Sequence, residues 1–95
     1  MTEPLLSVIM PVYNAERYVK QAIFSILDQS YKNFKFIIID DGSTDKSLQV
    51  IESIRDDRIK LVKNGTNRGQ IYTRNLGLQL AEGDYISQFD ADDIA

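Results

Sequence analysis

Leu5-Leu6-Ser7-Val8-Ile9-Met10-Pro11-Val12-Tyr13 is a nearly continuous apolar, β-branched run close to the start of the chain. A strand with one wet face alternates polar and apolar residues, so a run without alternation predicts a strand covered on both faces. Asn14 interrupts the run and is placed to cap a helix over Ala15 to Gln29. In that stretch Tyr18, Val19, Ala22, Ile23, Ile26 and Leu27 recur at helical spacing.

The alternation continues along the chain. Phe34 to Ile39 is a second apolar strand, ending in Asp40-Asp41-Gly42-Ser43-Thr44-Asp45, where Gly permits a tight turn and Ser, Thr or Asp starts a helix. Leu48, Ile51 and Ile54 give that helix a thin apolar stripe to about Arg55, and Arg58 to Lys63 reads as a third strand before the Asn64-Gly65 turn. Tyr72, Leu76 and Leu80 mark a third helix over Gly69 to Ala81, with Gly83 suited to a left-handed position just past it. Asp84 to Phe89 is the fourth strand, running into Asp90-Ala91-Asp92-Asp93. Strand and helix in strict alternation (βαβαβαβ) predict an α/β, Rossmann-like, mostly parallel sheet with helices on both faces. Ligands of such sheets bind at the carboxyl ends of the strands, where both acidic groups fall.

Composition narrows the function. Ninety-five residues with 43% hydrophobic and 26% charged make one ordinary globular domain or part of one. The net charge of −3 and the scatter of eleven Lys and Arg argue against a nucleic-acid partner. Without Cys or His, disulfides, thiolate metal sites and imidazole catalysis are excluded within these residues. No leader pattern or membrane-length apolar run is present, so a cytoplasmic location is expected, or the cytoplasmic face of a membrane if a spanning segment lies beyond Ala95.

The chemistry sits in the carboxylates. In Asp90-Ala91-Asp92, alternate residues leaving a strand can aim two carboxylates at one hard divalent cation, which would offset the charge of a diphosphate. An ionised Asp41 is acceptor-only and suits the imide N–H of a uracil ring, while Asp40 orients either the turn or a ribose. Ser43, Thr44 and Asp45 read as helix starters, and Asn67 and Gly69 as loop and helix-start residues. Arg74 either extends to solvent or reaches phosphates, and Tyr13 either stacks on a base or fills the core.

In order and spacing, the segments Ser7–Asn14, Ile39–Asp45, Asn67–Gly69, Thr73–Gly77, Ala81–Ile86 and Phe89–Asp93 resemble the N-terminal half of family 2 glycosyltransferases of the GT-A fold. The resemblance implies an inverting transfer of sugar from a nucleoside diphosphate-sugar, by expectation a UDP-sugar, to a hydroxyl of a saccharide, a lipid-linked glycan or a protein. It implies that Pro11 and Tyr13 line the nucleotide pocket, that Asp41 reads the base, that Arg74 lies near the nucleotide-sugar and that Asp90 contacts ribose or sugar. Asp92 would be the direct ligand of Mn²⁺ or Mg²⁺. Thr73 stands where the family often has Ala.

Family members continue beyond this point into an acceptor-binding half that carries the catalytic base. Residues 1–95 are therefore expected to be the donor-binding part, inactive in transfer on their own, with the general base beyond Ala95. A metal-dependent nucleotide-binding module without catalysis is the alternative. Phosphoryl-transfer domains also gather Asp at strand ends, but their key Asp usually ends the first strand, which here ends in Tyr13-Asn14.

Overall fold

Four strands and three helices alternate in the computed structural model, which describes residues 4–29, 31–83 and 85–89. They are β1 (Leu6–Val12), α1 (Val19–Leu27), β2 (Phe34–Asp40), α2 (Ser47–Ser53), β3 (Ile59–Lys63), α3 (Gln70–Leu80) and β4 (Tyr85–Gln88). All pairings are parallel and the sheet order is β3-β2-β1-β4. The chain steps outward from β1 to β3, and α3 then carries it back across to the far side of β1. Direction therefore reverses at β1, the kind of switch point above which open α/β sheets form crevices.

The unbroken apolar run of β1 has the two-sided burial expected of it. Val8, Met10 and Val12 join Phe36, Ile38 and the α1 residues Val19, Ala22, Ile23, Ile26 and Leu27 in one core layer, to which Ile51 of α2 also belongs. Ile9, Ile37 and Ile39 point the other way, against Leu76 and Leu80 of α3. Successive strand residues face opposite sides, so both faces need an apolar residue at every position. Each fully buried Ile or Val contributes about 1.5–3 kcal/mol relative to exposure.

Three expectations about the helices are corrected. α1 begins at Val19 rather than Ala15, because residues 16–18 form a turn, and Asn14 does not cap it. Tyr18 precedes the helix and is 44% exposed instead of joining its buried stripe. On α3, Tyr72 is 47% exposed with the Arg68 guanidinium over its ring, and the inward face is made by Thr73, Leu76, Gly77 and Leu80.

Gly77 is what lets α3 lie so close to the sheet. A Cβ at this position would stand 2.5 Å from Ile9 Cγ2 and 3.2 Å from Ile39 Cδ1, both on side chains that are fully buried. Overpacking of this kind costs about 1–3 kcal/mol. Gly77→Val should therefore lower the unfolding free energy by that amount, read as a lower midpoint of chemical denaturation with an unchanged slope. A midpoint equal to wild type would show that α3 can lift from the sheet without cost.

Candidate functional site

The site begins with two loops at the carboxyl edge of the sheet that hold each other in place. After β1, the backbone N–H groups of Asn14, Ala15 and Glu16 donate to Ser43 Oγ (3.0 Å), Ser47 Oγ (2.7 Å) and Asp45 Oδ2 (3.2 Å), in the loop after β2 and at the start of α2. In return Asn14 Oδ1 accepts from the N–H of Thr44 (2.8 Å) and Asp45 (3.3 Å). Asn14 thus caps the turn that leads to α2, not its own helix, and does so at φ 49°, a left-handed conformation that Asn tolerates better than most residues. The helix-starter residues Ser43 and Asp45 act across the loops in the same way. Asp40 orients its turn, Oδ2 accepting from the Ser43 N–H at 3.2 Å.

Asp41 joins a third loop to this pair. Asp41 is 4% exposed, and its carboxylate accepts at Oδ1 from Asn64 Nδ2 and the Arg68 N–H, both 2.8 Å, and at Oδ2 from the Gly69 N–H, 3.0 Å. Asn64 Nδ2 also reaches Oγ1 of the buried Thr73 at 3.1 Å. Gly42 makes the close approach of this loop possible, since at φ 70° a Cβ would collide with the backbone of Thr66 and Asn67. Burial alone would raise the Asp41 pKa from its ordinary 3.8, but donation from the Arg68 N–H, Asn64, the Gly69 N–H and Thr73 outweighs it, and the net shift is downward.

The three loops and the first turn of α3 enclose an open cleft of about 500 Å³. Pro11, Tyr13, Asp41 and Arg74 all line it, so four of the expected site residues are brought together. Tyr13 is 49% exposed there, which rules out the core-filling reading of its ring. Val12, Asn14, Ala15, Tyr18, Asn67, Gly69, Gln70 and Thr73 complete the lining. Tyr18, expected on a helix stripe, and Asn67 and Gly69, expected as loop and helix-start residues, thus belong to the cleft wall. Asp90 and Asp92 lie outside the described residues, and among the described residues no cluster of three acidic, His or Cys side chains forms a metal site.

Two stability experiments test this construction. Asn14→Ala loses the cap, worth roughly 0.5–2 kcal/mol, and adds about 1 kcal/mol or more of left-handed strain, whereas Asn14→Gly loses only the cap. Denaturation should therefore rank wild type above Gly above Ala; Ala at or above Gly contradicts the cross-loop cap. For Asp41, a carboxylate whose pKa falls on folding stabilises the native state above its unfolded value and loses that contribution as pH falls through the folded one. Stability should accordingly drop as pH falls below about 4, and Asp41→Asn should be less stable at pH 7 with a flatter acid limb. An acid limb unchanged by the substitution would mean that the clamp does not depend on charge.

Comparison with known proteins agrees with this architecture. Residues 7–95 match the Glycosyl transferase family 2 sequence family. The chain is 55% identical to an uncharacterized glycosyltransferase of Haemophilus influenzae over 98% of its own length and 38% of the relative's. It is 40% identical to the UDP-Glc:alpha-D-GlcNAc-diphosphoundecaprenol beta-1,3-glucosyltransferase WfaP of Escherichia coli, over 94% of this chain and 36% of that one. Among solved structures, a mannosyltransferase from Pyrobaculum calidifontis in complex with GDP-Man and Mn²⁺ superposes with a TM-score of 0.86 at 27% identity, covering 96% of this chain and 28% of that one. The chain thus spans little more than a third of the length of such relatives. With its parallel sheet, its cleft above β1 and a family match over nearly every residue, it belongs to glycosyltransferase family 2 and has the Rossmann-like half of a GT-A fold.

Proposed function

We propose that these residues form the donor-binding part of an inverting glycosyltransferase that moves a sugar from a UDP-sugar to a hydroxyl acceptor. The observation that carries this reading is the cleft in which Pro11, Tyr13, Asp41 and Arg74 converge at the carboxyl edge of the sheet. Tyr13 offers an exposed ring face for the base, Asp41 an acceptor for its imide N–H, and Arg74 a cation for the diphosphate. The Escherichia coli relative supports both donor and stereochemistry. Its name gives UDP-Glc as the donor and a beta-1,3 linkage as the product.

A divalent cation, Mn²⁺ or Mg²⁺, fits the residues that follow β4. The amide of Phe89 is bonded to the carbonyl of Ile9 at 2.9 Å, so β4 ends beside the strand whose continuation forms the cleft wall. The next residues include Asp90 and Asp92, hard oxygen ligands of the type such ions prefer. Asp92 would hold the ion and Asp90 the ribose or sugar; when bound, the ion offsets charge on the departing diphosphate. The Mn²⁺ complex of the Pyrobaculum mannosyltransferase supports that choice.

The acceptor half and the carboxylate base belong, in this reading, to the remaining two thirds of the protein. The acceptor is a saccharide, a lipid-linked glycan or a protein, the lipid-linked class being the one in the Escherichia coli relative's name. The reaction takes place in the cytoplasm or at the cytoplasmic face of a membrane. Without the second half, these residues act as a metal-dependent nucleotide-binding module.

Calorimetry with uridine and UDP tests the site directly. Arg74→Ala should weaken UDP binding by about 1.5–3 kcal/mol, the value of a hydrogen bond to a charged group, and leave uridine affinity unchanged. UDP should bind more tightly with Mn²⁺ than with chelator, because metal and diphosphate offset each other's charge only when both are present. Equal losses for uridine and UDP would remove Arg74 from the phosphate site, and equal affinity in chelator would remove the metal from donor binding.

A further inference from the structure

Resting on the reading of the cleft as a nucleoside diphosphate site, we propose that Asn64 is a modification site, whose deamidation replaces a donor to Asp41 by a second carboxylate and disables the cleft. Asn64 is followed by Gly65, and glycine carries no side chain to keep its backbone nitrogen away from the carboxamide carbon before it. The surroundings of Gly65 favour their meeting. It is exposed at φ 81°, a Cβ built on it would meet nothing beyond its chain neighbours within 4 Å, and its N–H has no hydrogen-bond partner among the described residues. The attacking nitrogen is therefore open to water and free to turn. Asp41-Gly42 offers the same spacing without that freedom, since Gly42 is pressed against the backbone of Thr66 and Asn67 and an ionised carboxylate is a poor electrophile.

The reaction needs only water. Once the Gly65 N–H has given its proton to solvent, its nitrogen bonds to Cγ of Asn64, the Cγ–Nδ2 bond breaks, and Nδ2 takes up a proton and leaves as ammonia. The product is a cyclic imide. Water then opens the ring at either carbonyl, its hydroxyl going to that carbon and its proton to the Gly65 nitrogen. Opening at Cγ gives aspartate, and opening at the backbone carbon gives isoaspartate, in which the main chain runs through the side chain. A carboxamide and water become a carboxylic acid and ammonia, and nothing is oxidised or reduced. Asparagine is among the residues that heat-adapted proteins avoid for such lability.

The consequence follows from where the Asn64 carboxamide sits. Its Nδ2 donates to Asp41 Oδ1 at 2.8 Å and to Oγ1 of the fully buried Thr73 at 3.1 Å, while Thr73 and the Arg68 and Gly69 amides supply the other donors to Asp41. These bonds also restrain the carboxamide, so attack by Gly65 proceeds when the clamp opens. After deamidation an acceptor oxygen stands where the donor stood. Two carboxylates then face each other away from bulk water, a pairing that disfavours ionisation of both. Moving the 64–69 loop away relieves the repulsion, and it withdraws the Arg68 and Gly69 amides as well. Asn67 and Gly69 line the cleft, so its wall moves with the loop. Isoaspartate lengthens the main chain between β3 and the same loop.

Ageing the purified protein in warm, mildly alkaline buffer, followed by peptide mapping with mass spectrometry, tests the reaction. Conversion should concentrate at Asn64, ahead of Asn14, Asn33, Asn67 and Asn75. Gly65→Asn should suppress it, because the added side chain hinders attack while Asn tolerates the left-handed backbone. Calorimetry with UDP in Mg²⁺ then reads the consequence: the fraction of aged wild type that still binds should fall in step with conversion, and aged Gly65→Asn should keep its sites. Asn64→Asp and Asn64→Ala separate the new charge from the lost donor, and the Asp variant should bind UDP roughly tenfold or more weakly than the Ala variant. The aged protein, folded before it reacts, decides the matter if Asn64→Asp does not fold. Conversion spread evenly over the asparagines, or full UDP binding by converted protein, overturns the proposal while the nucleotide-site reading stands. Failure of fresh wild type to bind UDP would overturn that reading and the proposal with it.

Discussion

A carboxylate taken out of water is costly unless every lone pair it turns inward finds a donor, and Asp41 at the end of β2 is in that position. Its donors come from the end of β3 and the approach to α3, parts of the chain more than twenty residues away. Meeting the requirement of one side chain therefore folds the 64–69 loop down onto the β2 turn and sets where α3 begins. The interaction is non-local, so it forms only once β2, β3 and α3 are in register. It also leaves the charge in place, because the donors more than offset the effect of burial.

The loop after β1 is fixed by the same physics, through two hydroxyls and one carboxylate. Its three consecutive N–H groups have no ladder to join, and the side chains of Ser43, Asp45 and Ser47 accept from them. Asn14 answers from the other side. The carboxyl edge of the sheet is thus a set of three loops joined side chain to backbone, each satisfying donors that another exposes. The cleft is what lies between them, walled by elements too closely bonded to drift independently.

Much of the fold was legible because its cause is periodic. Continuous apolar runs in β1 and β2 demanded cover on both faces, and the alternation with helical spacing left a parallel sheet as the economical arrangement. Aromatic residues at helical spacing misled for a definite reason. Tyr18 and Tyr72 fit the period, yet Tyr18 precedes α1 and lines the cleft, and Tyr72 lies half-exposed beneath the Arg68 guanidinium. The site was legible where residue type determines chemistry, as with Asp41 and Arg74. The clamp was not, because two of its donors are backbone amides, which carry no residue-type signal, and Asn64 reads first as half of an Asn-Gly turn.

If the cleft above β1 is where the nucleotide sits, its occupancy should be visible residue by residue. The most direct measurement is amide chemical-shift mapping of the isotope-labelled protein on addition of UDP with Mg²⁺. The largest changes should fall on the amides of residues 12–15, on Asp41, and on residues 67–74, with the Gly69 amide among them. The open groove between Ile51 and Leu61 on the far side of β2 offers an internal contrast. Changes concentrated in that groove, with residues 12–15 and 67–74 silent, would contradict the assignment of the donor site.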